Sequence, residues 1–167
     1  TMNKTFYVLA AGMLLGTSFN AMAQKPEDTS FSPPVPAVVT PGATNQDAPS
    51  DAIILFNGHN LNHWESVNNP GQPAAWDVAN GIMTVNKKGG NIQTKEKFEN
   101  YQLHLEWRIP ADIEGSGQAR GNSGLFLASI GSGDAGYEMQ ILDSYKNKTY
   151  TNGQAGSIYK QGAPLVN

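Results

Sequence analysis

The run Tyr101-Gln102-Leu103-His104-Leu105-Glu106-Trp107-Arg108-Ile109 alternates apolar and polar side chains without a break. A period of two puts Tyr101, Leu103, Leu105, Trp107 and Ile109 on one face of an extended strand, and Gln102, His104, Glu106 and Arg108 on the other. An apolar face has to be buried, so one such strand already argues for a sheet packed on a second layer. On either side of it, turn signals recur at short intervals: Asn57-Gly58, Asn69-Pro70-Gly71, Asn80-Gly81, Gly89-Gly90, Gly115-Ser116-Gly117, Gly131-Ser132-Gly133 and Asn152-Gly153. Helices have little room between them. The intervening runs, Ile53 to Phe56, Ala75 to Val78, Ile82 to Val85, Gly90 to Thr94, Ser123 to Ala128, Tyr137 to Leu142 and Gly156 to Lys160, read as short strands. The predicted fold class is all-β, an antiparallel sandwich or jelly roll. Thr94 to Tyr101, with its Lys and Glu residues, is expected to form a turn of helix at most.

Composition narrows the function classes. The chain has 167 residues, 15% of them charged, with a formal net charge of −3, so it carries neither the basic footprint of a nucleic-acid binder nor a polybasic membrane patch. It has no cysteine, which excludes disulfides, thiolate metal sites and thiol nucleophiles. Chemistry must run on carboxylates, amides, histidines and hydroxyls. His59 and His63 are four apart, but Asn57, Gly58, Asn60 and Asn62 oppose a helix there, and both are read as loop residues rather than metal ligands. Asn147-Lys148-Thr149 matches a glycosylation sequon, a pattern too common to carry weight alone.

Residues 1–23 read as a signal peptide. Lys4 supplies a positive start, Phe6 to Leu15 an apolar run too short to span a membrane, and Ala21-Met22-Ala23 a small-residue cleavage site. Cleavage after Ala23 would send the protein to the periplasm or outside the cell. Residues 24–50 hold six of the ten prolines and too few large apolar residues to build a core, and read as an extended, proline-rich linker. Residues 51–167 are the working domain.

Tyr137-Glu138-Met139-Gln140-Ile141-Leu142-Asp143 carries the candidate chemistry. On a regular strand Glu138 and Gln140 share a face, and a one-residue bulge around Ile141 or Leu142 would return Asp143 to it. Two carboxylates flanking an amide are what glycosidic cleavage asks for. Glu106 and Arg108 are candidates to line a polar cleft beside them. In Gly121-Asn122-Ser123-Gly124, the glycines suggest unusual backbone geometry, with Asn122 placed to hold a sugar hydroxyl or orient a carboxylate.

Taken together, Leu55-Phe56-Asn57-Gly58 with Leu61 and Trp64, Trp76 with Gly81, Tyr101 to Arg108, Gly121 to Gly124, Tyr137 to Tyr145, Gly153, Ala155 to Tyr159 and Ala163 to Asn167 resemble the bacterial 3-keto-disaccharide hydrolase domain family over nearly all of residues 52–167. The resemblance implies a concanavalin A-like jelly roll of two antiparallel sheets, with a saccharide cleft on the concave face. It implies action, outside the cytoplasm, on sugars whose C3 hydroxyl is already a ketone. It also implies catalytic roles for Glu138 and Asp143, and substrate contacts from Gln140, Glu106, Arg108, Asn122 and Tyr145. Glu138-x-Gln140-x-x-Asp143 is similar to the bulged acidic strand of jelly-roll glucanases, but its amide centre and shorter final acid argue against simple double displacement.

A ketone at C3 acidifies the C2 hydrogen, so a base can remove it, the C1 oxygen can leave, and water can add back to complete net hydrolysis. On this route either Glu138 or Asp143 is the base and the other assists the leaving oxygen, with Arg108, Gln140 or a divalent cation stabilising the enolate. The sequence demands no cofactor, and the expected partner is a saccharide, not nucleic acid. A lectin-like module without catalysis, or an interaction domain of an envelope assembly, are the competing readings. Because family members continue past the position of Asn167 into further strands, the jelly roll is expected to be C-terminally incomplete here, exposing apolar surface and open edges.

Overall fold

In the computed structural model, which describes residues 34–131 and 133–167, every regular element is a short strand or a single 3-10 turn. Strand β1 (Trp64–Ser66) pairs antiparallel with β4 (Ile92–Thr94), β2 (Asp77–Ala79) with β3 (Ile82–Thr84), and β5 (Ser123–Ile130) with β6 (Ala135–Ile141). The chain is all-β and antiparallel, as predicted. Among the described residues no helix is long and apolar enough to cross a membrane. Thr94 to Tyr101 contributes β4's last residue and bends, without a helical turn.

Local chemistry accounts for these elements. The β2–β3 hairpin turns on Asn80-Gly81, both with positive φ (51° and 76°), the two-residue turn whose twist matches that of the flanking strands. Indole N–H groups fasten loops where ladders are absent: Trp64 Nε1 donates to Leu55 O at 2.7 Å, and Trp76 Nε1 to Gly90 O at 2.8 Å. Ile53 to Phe56 is held by the first of these bonds instead of forming the predicted strand. β1 was not apparent in the sequence, because Trp64-Glu65-Ser66 is too short to show a period.

The third sheet is larger than its two named strands. Residues 156–159 run along the free edge of β6, where Tyr159 N donates to Glu138 O (2.9 Å), Gln140 N to Ser157 O (3.0 Å) and Gly156 N to Gln140 O (2.8 Å), around the bridge Met139↔Ile158. The predicted strand Gly156 to Lys160 is thus present as an edge segment, and β6 is the centre of three. The β5–β6 register shifts between Leu127 and Ile130, where Ala128 takes φ 52°. The expected bulge near Ile141 or Leu142 is not found; β6 simply ends at Ile141.

The alternating run Tyr101 to Ile109 requires a correction. It forms no strand ladder, although its parity holds: Tyr101, Leu103, Leu105 and Trp107 line a cavity of about 320 Å³ with Leu125, Leu127, Met139 and Ile141. Alternation decides which side chains share a face, but not whether a neighbouring backbone edge lies within hydrogen-bonding reach. The cavity is not sealed, and those four residues of the run remain 44–48% exposed. Among the described residues Leu142, 1% exposed, is the only apolar side chain buried outright.

Residues 1–23 and the start of the linker lie outside the described residues. From residue 34 the linker is exposed, but it is not extended throughout. Thr40 and Ser50 exchange two bonds, Thr40 N to Ser50 Oγ and Ser50 N to Thr40 O, both 2.9 Å, and the Asp47 carboxylate accepts from Thr44 N and Oγ1 within the loop they close.

Candidate active site

Register assigns the faces of this third sheet. Phe126 lies opposite Glu138 and Gly124 opposite Gln140, while Tyr159 and Ser157 occupy the matching positions on the other edge of β6. Glu138, Gln140, Tyr159 and Ser157 therefore project on one side, and Met139 and Ile141 on the apolar side.

Glu138 is half-buried at the middle of this sheet. Its carboxyl group lies over Gly124, in space that a Cβ at residue 124 would occupy. Gly124 thus acts through what it lacks, opening a notch for the acid one diagonal step across the ladder. Burial pushes the Glu138 carboxyl above its ordinary value by disfavouring the charged form.

Gln140 is 1% exposed, and its Nε2 donates to Gln118 Oε1 at 2.9 Å. Gln118 in turn donates to Thr149 Oγ1 (2.7 Å) and Gly153 O (2.8 Å), tying the sheet to the 149–153 loop. Gln140 is thus committed to the framework that joins β6 to that loop. Its Oε1 and the Ser157 hydroxyl are buried without hydrogen-bond partners.

Asp143 lies past the end of β6. Its Oδ2 is 2.7 Å from Arg120 Nε, Arg120 Nη2 donates to Tyr145 O (2.7 Å), and the Asp143 N–H donates to Arg120 O (3.2 Å). Asp143 and the exposed Tyr145 line an open cavity of about 300 Å³ with Trp107, Ile109 and Leu142; Glu138 is not among its lining residues. Gly121, at φ 62°, is packed so closely that a Cβ would strike Ile109 and approach Asp143 Cβ, which explains a glycine there. Asn147, 8% exposed, accepts from Gly117 N and donates to Gly117 O and Asp143 O, so the amide of the sequon asparagine is buried and committed.

The remaining predicted contacts are dispersed. Asn122 is exposed and donates to Gln118 O at 2.8 Å. Glu106 and Arg108 occupy the exposed face of the extended run turned away from the apolar cavity, and Glu106 is 3.5 Å from His104. Among the described residues no hydrogen bond or ion pair joins either of them to Glu138 or Asp143. Among the described residues no group of three or more His, Asp or Glu side chains is gathered as a metal site. Sequence reasoning missed Arg120, although it immediately precedes the Gly121 to Gly124 motif. It also missed Tyr150 and Tyr159, whose hydroxyls are 2.6 Å apart beside Glu138's strand.

The fold and site define an all-β antiparallel domain that carries a half-buried carboxyl group and a phenol on one sheet face, with an acid–guanidinium pair past the end of β6. The comparisons make this specific: residues 51–167 match the family model described as a 3-keto-alpha-glucoside-1,2-lyase-like domain, and the chain belongs to that family. A "3-keto-disaccharide hydrolase" of Bacteroides thetaiotaomicron is 27% identical over 146 residues, covering 75% of this chain and 48% of the relative. A crystal structure from Parabacteroides distasonis, of a protein put forward as a glycosyl hydrolase, is 53% identical with a TM-score of 0.72, covering 86% of this chain and 59% of that one. The chain thus spans about half the length of the curated relative it matches.

Proposed function

We propose that this chain is the domain of an exported enzyme that cleaves the glycosidic bond of 3-keto-disaccharides or related 3-keto-glycosides by elimination and hydration. The observation that carries the reading is the Glu138 carboxyl group, half-buried in the notch over Gly124 with its proton affinity raised by burial. A base whose proton affinity is raised by burial suits removal of a hydrogen α to a ketone. The family's lyase-like description and the name of the Bacteroides relative support the same substrate class.

On this reading Glu138 takes the C2 proton. Asp143 is paired with Arg120 in a cavity that Glu138 does not line, and takes no part in that proton transfer. Export rests on the signal-like residues 1–23, and a mature N-terminus at Gln24 in envelope extracts is the expected outcome. The decisive test follows the C2 hydrogen of a 3-keto-disaccharide in heavy water. Product carrying solvent deuterium at C2 supports elimination, whereas complete retention of the original hydrogen would exclude it.

A further inference from the structure

With Asp143 bound to Arg120 and lining a cavity that Glu138 does not share, the departing oxygen needs another proton donor. We infer that the hydroxyl pair of Tyr159 and Tyr150 is that donor, Tyr159 giving the proton and Tyr150 backing it. This assignment rests on the proposed elimination and adds a catalytic residue that the two-carboxylate reading lacks.

Three observations place the pair. First, Tyr159 N donates to Glu138 O, and the register around Met139↔Ile158 sets the Tyr159 side chain beside that of Glu138 on the same face. Second, the two hydroxyl oxygens are 2.6 Å apart, a short O–H···O contact in which one phenol can hand a proton on and recover it from the other. Third, the second phenol is held in place: the Tyr150 ring fills the space where a Cβ on Gly153 would project, and Gly153 N donates to Tyr150 O at 3.0 Å. The Gly153 carbonyl is also fastened by Gln118. Tyr150 is 42% exposed, so the pair is open to a ligand.

The bond to Tyr159, together with the Glu138 charge, pushes the Tyr150 phenol up to about 12, which keeps it protonated at neutral pH. The step balances. Glu138 takes the C2 proton and the C2–H electrons pass into the enolate of the C3 ketone; as the enolate collapses they become the C1–C2 double bond, and the C1–O bond breaks with its electrons moving to oxygen. That oxygen receives the Tyr159 proton. One water then reprotonates Tyr159 through Tyr150 while its hydroxide adds to C1, and Glu138 returns a proton to C2.

The test compares the full chain with its Tyr159→Phe and Tyr150→Phe variants on a 3-keto-disaccharide, whose leaving sugar alkoxide needs a proton, and on a nitrophenyl 3-keto-glucoside, whose leaving group does not. Tyr159→Phe is expected to lower kcat/KM on the disaccharide by about 100-fold or more and on the nitrophenyl substrate by less than about fivefold, with Tyr150→Phe intermediate. Recovered disaccharide should still exchange its C2 hydrogen with solvent in Tyr159→Phe, because the base remains. Equal losses on both substrates, loss of exchange along with cleavage, or no loss on either would overturn the assignment. Failure of the proposed reaction shows separately, in the unaltered protein, as absent turnover or product with its original C2 hydrogen, and it removes the assignment too.

Discussion

Glu138 sits where two demands on one side chain conflict. Burial lifts its pKa above 4.5, so folding favours the protonated form. That stabilisation is fully present below the unfolded-state value and is lost as pH rises through the folded one. Glu138→Gln should therefore melt higher than the unaltered protein at pH 7 and equally at pH 3, while turnover falls by about 100-fold or more. The acid limb of kcat/KM should lie above 4.5 and vanish in the variant. Gly124→Ala tests the notch from across the ladder. The added methyl displaces the flexible end of Glu138 rather than backbone, so melting should change little while turnover drops by about 10- to 100-fold through misplacement of the base. Glu138 and Asp143 could be picked out in the sequence as acids in one line. Their separation could not, because it depends on where β6 ends and on Arg120, whose pairing crosses from another loop.

Loops between the short ladders are held by side chains, and so is much of the element-scale stability. Glu65 accepts from Gln93 Nε2, its register partner on β4, at 2.7 Å and from Gly71 N at 2.9 Å. The Gln93 bond, then the Gly71 bond, lowers its pKa. Here the sign reverses: the stabilisation is present above the unfolded carboxylate value and is lost as pH falls through the lowered one. Glu65→Ala should melt below the unaltered protein at pH 7, with the gap closing in acid. Asn147 gives a larger effect. Removing its amide strips partners from Gly117 N, Gly117 O and Asp143 O, and Asn147→Ala should cost about 2–3 kcal/mol in denaturant unfolding. The hairpin at Asn80-Gly81 was legible because both central residues need positive φ, and β5 and β6 because their apolar rows are long. Segment 156–159 was legible as extended, but its place against β6 depends on contacts made far from it in sequence.

Across the molecule, apolar surface exceeds what the described residues cover. Tyr101, Leu103, Leu105 and Trp107 form a continuous row at 44–48% exposure over a cavity walled by Leu125, Leu127, Met139 and Ile141, and the run carrying them presents unpaired backbone. A half-wetted apolar row beside a free backbone edge is the surface that associates with another copy or aggregates. Residues 24–167 in isolation should therefore sediment as concentration-dependent oligomers and melt over a broad range. Leu103→Lys combined with Leu105→Lys should shift that distribution toward monomer, because each ammonium would have to be desolvated for the row to be covered. Gln102→Lys, on the opposite parity, should leave the distribution unchanged. A sharply melting monomer at all concentrations would show instead that the run is covered in solution, and that its alternation is satisfied within a single chain.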